Sequence, residues 1–173
     1  MIAAVALLLA ACGGGTANPT PSPAGGGASS APAATGGGAS GASAGTLDAC
    51  SFLSADQIAT VVGWQVGTGV KQNTDTQTDC EWTSATDQSA GLSLTISDYD
   101  DSLFQAGASA GNSTAVSGVG DAAFKGWPHS GDLVIKIKGY QVVLGIVDFS
   151  ATATTAKLDD ENLKLANLVL PKL

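Results

Sequence analysis

The chain has 173 residues, 23 of them Gly, with seven Lys, no Arg and 15 acids, for a formal charge of −8. Residues 13–46 hold 11 Gly, 9 Ala, 4 Pro and otherwise only Ser, Thr and Asn, so this stretch buries too little apolar surface to offset its ordering entropy and reads as disordered linker. Residues 47–173 carry every charge and every aromatic, enough for one core and not for two; an acidic chain without Arg also repels phosphates, which excludes nucleic-acid binding through a basic surface.

Residues 2–11 form an apolar run of ten. As a helix it would span about 15 Å, half the hydrocarbon thickness, so it does not cross a membrane. It has the length of a signal-peptide apolar region. The run ends Leu9-Ala10-Ala11-Cys12, which resembles the lipobox of bacterial lipoproteins. The resemblance implies that residues 1–11 are a signal peptide cut just before Cys12. It further implies that Cys12 carries a fatty acid such as palmitate on sulfur and another on the new amine. The expected location is the outer face of the cytoplasmic membrane, lipid-anchored. The bland alternative, a buried helix with a Cys near its end, finds nothing to pack against in the Gly-rich segment that follows. Two acyl chains anchor stably where one is marginal. Thirty-four flexible residues have an r.m.s. reach of roughly 30 Å. Thr16, Thr20, Ser22 and Thr35, close to Pro, resemble the O-glycosylated positions of Pro-rich stalks.

With Cys12 assigned to lipid, Cys50 and Cys80 remain, an even pair in an extracytoplasmic domain where thiols oxidise. A bridge between them would stabilise the fold by roughly 3.5 kcal/mol in the chain-entropy model. Two other readings compete. A zinc site needs four ligands, and His129 is the one imidazole in the chain. A redox pair usually stands at C-x-x-C spacing.

The folded region begins with a helix. Ser54 and Gln57 form a capping box, Ile58, Val61 and Val62 recur at helical spacing, and Gly63 supplies the left-handed stop. Phe52 or Leu53 staples onto that face. Residues 64–70 alternate as a strand, as do 78–82, where Thr78, Cys80 and Trp82 face one way and Asp79 and Glu81 the other. Leu92, Leu94 and Ile96 alternate with Ser93, Thr95 and Ser97. Residues 100–110 read as a short helix with Leu103 and Phe104 inward, weakened by Gly107. Residues 118–121 are a tight Gly turn and 122–125 a short strand. Residues 133–137, Lys138-Gly139 and 140–149 make the clearest hairpin. Its second arm is apolar on both faces, which predicts a central strand covered on both sides. From Asp159 the chain turns helical, with Leu163, Ala166 and Leu170 a turn apart. The predicted fold is α+β, an antiparallel sheet of about five to six strands with a short N-terminal and a longer C-terminal helix packed on it.

Four spaced elements carry a family resemblance: Asp48-Ala49-Cys50 with Leu53, Ser54 and Gly63; Cys80-Glu81-Trp82; and Gly118-Val119-Gly120-Asp121-Ala122-Ala123. In this order they resemble the actinobacterial lipoproteins grouped as domain of unknown function 3558. The resemblance covers about residues 47–170. It implies an extracytoplasmic lipoprotein with Cys50 paired to Cys80, and no catalytic residue.

Several constellations have a plainer reading. Residues 107–111 match G-x-S-x-G around Ser109, and Asp121 and His129 follow in the triad order of the α/β-hydrolases. The strand before and helix after that such an elbow needs are missing, and the same five-residue string recurs in the linker at 41–45. Residues 118–123 fit a dinucleotide fingerprint but lack its helix, and Asp121 would repel a pyrophosphate. Asp98, Asp100 and Asp101 cluster without EF-hand spacing and read as a solvated face. Trp127 and His129, either side of Pro128, form the one candidate binding loop.

These readings give a signal peptide over 1–11, a lipidated Cys and linker over 12–46, and one globular domain over 47–173. The expected function is that of a membrane-anchored, non-enzymatic binding or interaction module of the cell envelope. Its partners would be the membrane, through lipid, and an envelope protein or cell-wall component; no nucleic acid, metal or cofactor is expected. The alternative is a carrier or sensor of a small apolar or lipid ligand held between sheet and helix. A pocket with apolar walls inside the domain would favour the carrier, and a filled core beneath an exposed apolar or acidic patch the interaction module.

Overall fold

In the computed structural model, which describes residues 42–86, 88–150 and 153–173, every described residue belongs to one compact unit. The elements in chain order are α1 (Ala55–Val62), β1 (Val70–Asn73), β2 (Gln77–Thr83), β3 (Ala90–Asp98), α2 (Asp101–Ala108), β4 (Thr114–Val116), β5 (Ala122–Lys125), β6 (Leu133–Ile137), β7 (Tyr140–Asp148) and α3 (Thr155–Val169). All seven strands join one antiparallel sheet in the order β1-β2-β3-β7-β6-β5-β4. The fold is α+β. The clear hairpin becomes β6–β7, and β7 takes the centre of the sheet.

One face of the sheet carries the main core. Cys80 and Trp82 of β2, Leu92, Leu94 and Ile96 of β3, Leu133 and Ile135 of β6 and Val142, Leu144 and Ile146 of β7 are buried there with Ile58 and Val62 of α1 and Leu165, Ala166 and Val169 of α3. The α1 capping box forms as read: Gln57 N donates to Ser54 Oγ at 3.2 Å, and Ser54 N to Gln57 Oε1 at 3.0 Å. Gly63 closes the helix at φ +80°, a conformation open to Gly at little cost. Cys50 lies just ahead of α1 and is bonded to Cys80, with the Cα atoms 5.1 Å apart. That bridge ties the entry to α1 to strand β2 and takes both thiols out of any zinc or redox role.

Several details depart from the sequence reading, among them Leu103 of α2, which was expected inward and is 47% exposed. The sheet has seven strands rather than five to six, because Thr114–Val116 pairs as β4 along β5. A three-residue strand is too short to show alternation. The strand read at 64–70 contributes one bridge, Val66 to Ser84, and the ladder begins only at Val70. Gly69 passes so close beneath β2 that a Cβ there would lie 2.7 Å from Trp82 Nε1. The C-terminal helix starts at Thr155, with the Thr154 hydroxyl accepting from Lys157 N at 3.2 Å, rather than at Asp159. Its buried face is Glu161, Asn162, Leu165, Ala166 and Val169, so Leu163 and Leu170 are half-buried flanks. Finally, β7 is covered fully on one face only.

On that second face α2 brings Phe104 against Phe124, Val134 and Val143. The Phe104 and Phe124 rings meet edge to face with centroids 5.1 Å apart. Beyond the reach of α2, Val147 is 50% exposed and Phe149 82%. An eight-residue helix spans about 12 Å and cannot cover a nine-residue strand of about 30 Å.

The folded body also begins before residue 47. Ala44–Thr46 forms a 3-10 turn, and Ala44 is fully buried. Asp98, at the end of β3, accepts from Ala44 N at 2.7 Å and from the Ser43 hydroxyl at 3.1 Å. The Tyr140 hydroxyl donates to Ala42 O at 2.7 Å. Composition alone assigned these residues to linker, because small residues that pack in a tight space look the same as small residues that pack nowhere. The expected signal peptide, Cys12 and the rest of the expected linker lie outside the described residues.

Candidate functional site

Ser109, Asp121 and His129, whose triad order the sequence reading set aside, each stand in a different local setting. Ser109 is exposed at the C-cap of α2. Asp121 Oδ2 accepts from Lys138 N at 3.1 Å, fastening the turn before β5 to the β6–β7 hairpin. His129 Nδ1 lies 2.9 Å from Asp132 Oδ2. Residues 118–121 are a turn leading into a strand, with no helix after it. Gly120, at φ +60°, lies against β6, where a Cβ would come 2.6 Å from Lys136 O. Gly120 therefore serves chain packing, and Gly118, with open space around it at φ +78°, serves the turn conformation.

Trp127 and His129 point to different roles. Trp127 is half-buried, its ring 6.5 Å from Phe124, and it fills the space above Gly107 of α2. His129 keeps 84% of its side chain exposed and leans on the buried Asp132. The imidazole is therefore the solvent-facing group of this loop, while the indole helps dock α2. At the other end of α2, Asp100 accepts from the Ser102 hydroxyl at 2.6 Å and from Leu103 N at 2.9 Å. These bonds hold its carboxyl below the usual range and spend it on capping the helix.

Three surface features remain. The first is the face of the sheet that α2 leaves open. Asp79 is held there by the Thr95 hydroxyl at 2.6 Å and Gln77 Nε2 at 2.8 Å, beside exposed Glu81. Gly91 and Gly145 floor a shallow dip of about 240 Å³ between Glu81, Thr83, Ser93 and Val147. The second is a groove of about 270 Å³ between β4 and α3, lined by Val116, Leu133 and Leu163 and flanked by the Lys125–Asp159 ion pair. The third is a cleft of about 420 Å³ where the end of α1, the β2–β3 turn and the start of α3 converge.

The third cleft holds the most unusual chemistry. Glu161 is 4% exposed, and its Oε2 has no hydrogen-bond partner. Trp64 Nε1, also on this cleft, is buried and equally without a partner. Lys157 stands between Glu161 Oε1 at 3.5 Å and Asp148 Oδ2 at 4.0 Å. Burial raises the Glu161 pKa, and Lys157 offsets part of that rise. The sequence reading missed these residues. One signal was available: Glu161 and Asn162 occupy core positions of the α3 pattern, four and three residues before Leu165 on the same helix face.

The family described as Protein of unknown function (DUF3558) matches residues 7–168. The chain belongs to this family. The DUF3558 match runs from within the apolar N-terminal run almost to the end of α3, taking in Cys12, the Cys50–Cys80 bridge and the Gly118 turn. No curated protein and no solved structure matches the DUF3558 chain. No helix among the described residues is long and apolar enough to cross a membrane.

Proposed function

We propose that the protein is a lipid-anchored, extracytoplasmic and non-enzymatic interaction module of an actinobacterial cell envelope. Cys12 carries the acyl chains, the Gly/Ala/Pro segment is the tether, and the domain presents the open β1–β3 face to a cationic envelope component. The observation that carries this reading is the pairing of a filled core with that open face. Ile58, Leu94, Ile135, Leu144 and Leu165, between sheet and helices, are each fully buried. On the open face, Asp79 and Glu81 stand with Ser93 and Thr95, next to exposed Val70 and Val147, and β1–β3 place no lysine there. The filled core argues against an apolar ligand buried between the central strands and the helices; the apolar groove between β4 and α3 lies at its edge. The separate engagement of Ser109, Asp121 and His129 supports a non-enzymatic role.

The test places a photo-crosslinking residue at position 81, 147 or 164 of the anchored, full-length protein. Adducts should form from 81 and 147, weaken at high salt as exposed charge pairs are screened, and be absent from 164 on α3. In parallel, Cys12→Ala should leave the membrane fraction. Equal crosslinking from all three positions would remove the face from the reading, and undiminished membrane retention of Cys12→Ala would remove the anchor.

A further inference from the structure

A buried polar atom without a partner carries the full cost of its desolvation, about 1–3 kcal/mol, and native structures rarely leave one. Two residues that line the cleft between α1 and α3 each carry one, Trp64 at Nε1 and Glu161 at Oε2. Neither belongs to the open face, and the cleft lies on the helix-covered side of the domain. Its volume of about 420 Å³ falls within the usual range for small-molecule sites.

The lining sets the chemical class. The Trp64 indole N–H can only donate, so it requires an acceptor atom on the ligand. The Glu161 carboxyl can accept when ionised and donate when protonated, so a hydroxyl satisfies it in either state. Ser84 and Ser89 border the same space. Two carboxylates against one lysine disfavour an anion, and Lys157, already seated between Asp148 and Glu161, holds the place a cation would take. Val61, Val62 and Ala90 supply an apolar wall beside these polar groups. A neutral ring with hydroxyls on its rim and C–H groups on its faces meets all of these demands.

We infer that the α1–α3 cleft is a binding site for a neutral saccharide unit of one or two rings, received by Trp64 Nε1 and Glu161. This site is independent of the cationic partner assigned to the open face, and either can fail without the other.

Titration of the folded, ¹⁵N-labelled protein with N-acetylglucosamine, its β-1,4-linked disaccharide, glucose and octanoate tests the inference. The indole N–H resonance of Trp64, assigned by its loss in Trp64→Phe, should move and saturate with at least one of the sugars. Glu161→Leu, which fills the carboxyl's place with apolar volume and leaves no orphan atom, should retain the fold and weaken that binding about tenfold, the loss of one well-formed hydrogen bond. A resonance that stays fixed up to the solubility of every sugar would mean that the cleft holds only water, and the inference falls. It falls equally if octanoate alone moves the resonance, or if Glu161→Leu binds as the parent does.

Discussion

Glu161 occupies a position that α3 would ordinarily give to an apolar side chain, and its placement has a consequence for stability. Burial holds its pKa above the ordinary value, with Lys157 opposing the rise, Asp148 adding to it and Lys164 again opposing it. The folded protein therefore keeps this proton at a pH where the unfolded chain has released it. Stability from the group is complete below the ordinary carboxylate range and declines as pH rises through the folded value. Glu161→Gln abolishes the titration while keeping the shape. The variant should melt above the parent at pH 7, and the two curves should converge toward pH 4. Parallel curves across that range would show that the carboxyl is as well solvated folded as unfolded. None of this was visible in the residue itself. A Glu four residues after a Lys on a helix is an ordinary surface pair; it became a buried one because α1 and β7 close over it. Ser54 and Gln57 are the opposite case, since a capping box is complete within four residues and needs no tertiary context.

Element α2 shows how far local pattern reaches. Its one glycine, Gly107, counts against a helix, and the helix forms because that glycine is required: a Cβ there would lie 2.7 Å from Phe124 Cζ and 2.7 Å from Trp127 Cε3. Phe104, Phe124 and Trp127 close over that gap, so tertiary packing outweighs propensity. Gly107→Ala should cost about 1–3 kcal/mol through overpacking, offset by at most about 1 kcal/mol of helix propensity. Gly111→Ala, where a Cβ meets nothing within 4 Å, should be neutral. Denaturant midpoints of the two variants, with Trp127 fluorescence as a second probe, decide the matter; equal midpoints would mean that the aromatic cluster has room to spare. The same contrast separates the legible elements from the rest. The hairpin β6–β7 was readable because period-two alternation and a Lys-Gly turn lie within one stretch of chain. Strand β4 was not, because its pairing with β5 is decided by where α2 returns the chain. The cleft was not readable either, since Trp64, Asp148 and Glu161 meet only after the sheet has closed.

For the whole molecule, the decisive boundary is where the tether becomes domain. Ser43 and Ala44 bond to the Asp98 carboxylate, Ala42 receives the Tyr140 hydroxyl, and Ala44 seals the end of the core. These contacts join the proposed tether to the ends of β3 and β7, the central pair of the sheet, so a pull on the proposed anchor would act first on those strands. A chain starting at residue 47 returns the exposed Asp98 carboxylate and the Tyr140 hydroxyl to water and uncovers the core edge. Hydrogen bonds to a charged group contribute about 1.5–3 kcal/mol, so the shortened chain should lose about 2–4 kcal/mol relative to one starting at residue 42. In a domain of this size that is a fall in Tm on the order of 10 °C. Asp98→Asn makes the attribution specific, because its effect should be large in the longer chain, where the carboxylate has the Ala44 and Ser43 donors, and small in the shorter one, where those donors are gone. Two such differences form a double-mutant cycle, and a non-zero coupling between Asp98 and residues 42–46 is the expected result. Equal effects of Asp98→Asn in both lengths would place the carboxylate's contribution elsewhere and return residues 42–46 to the linker.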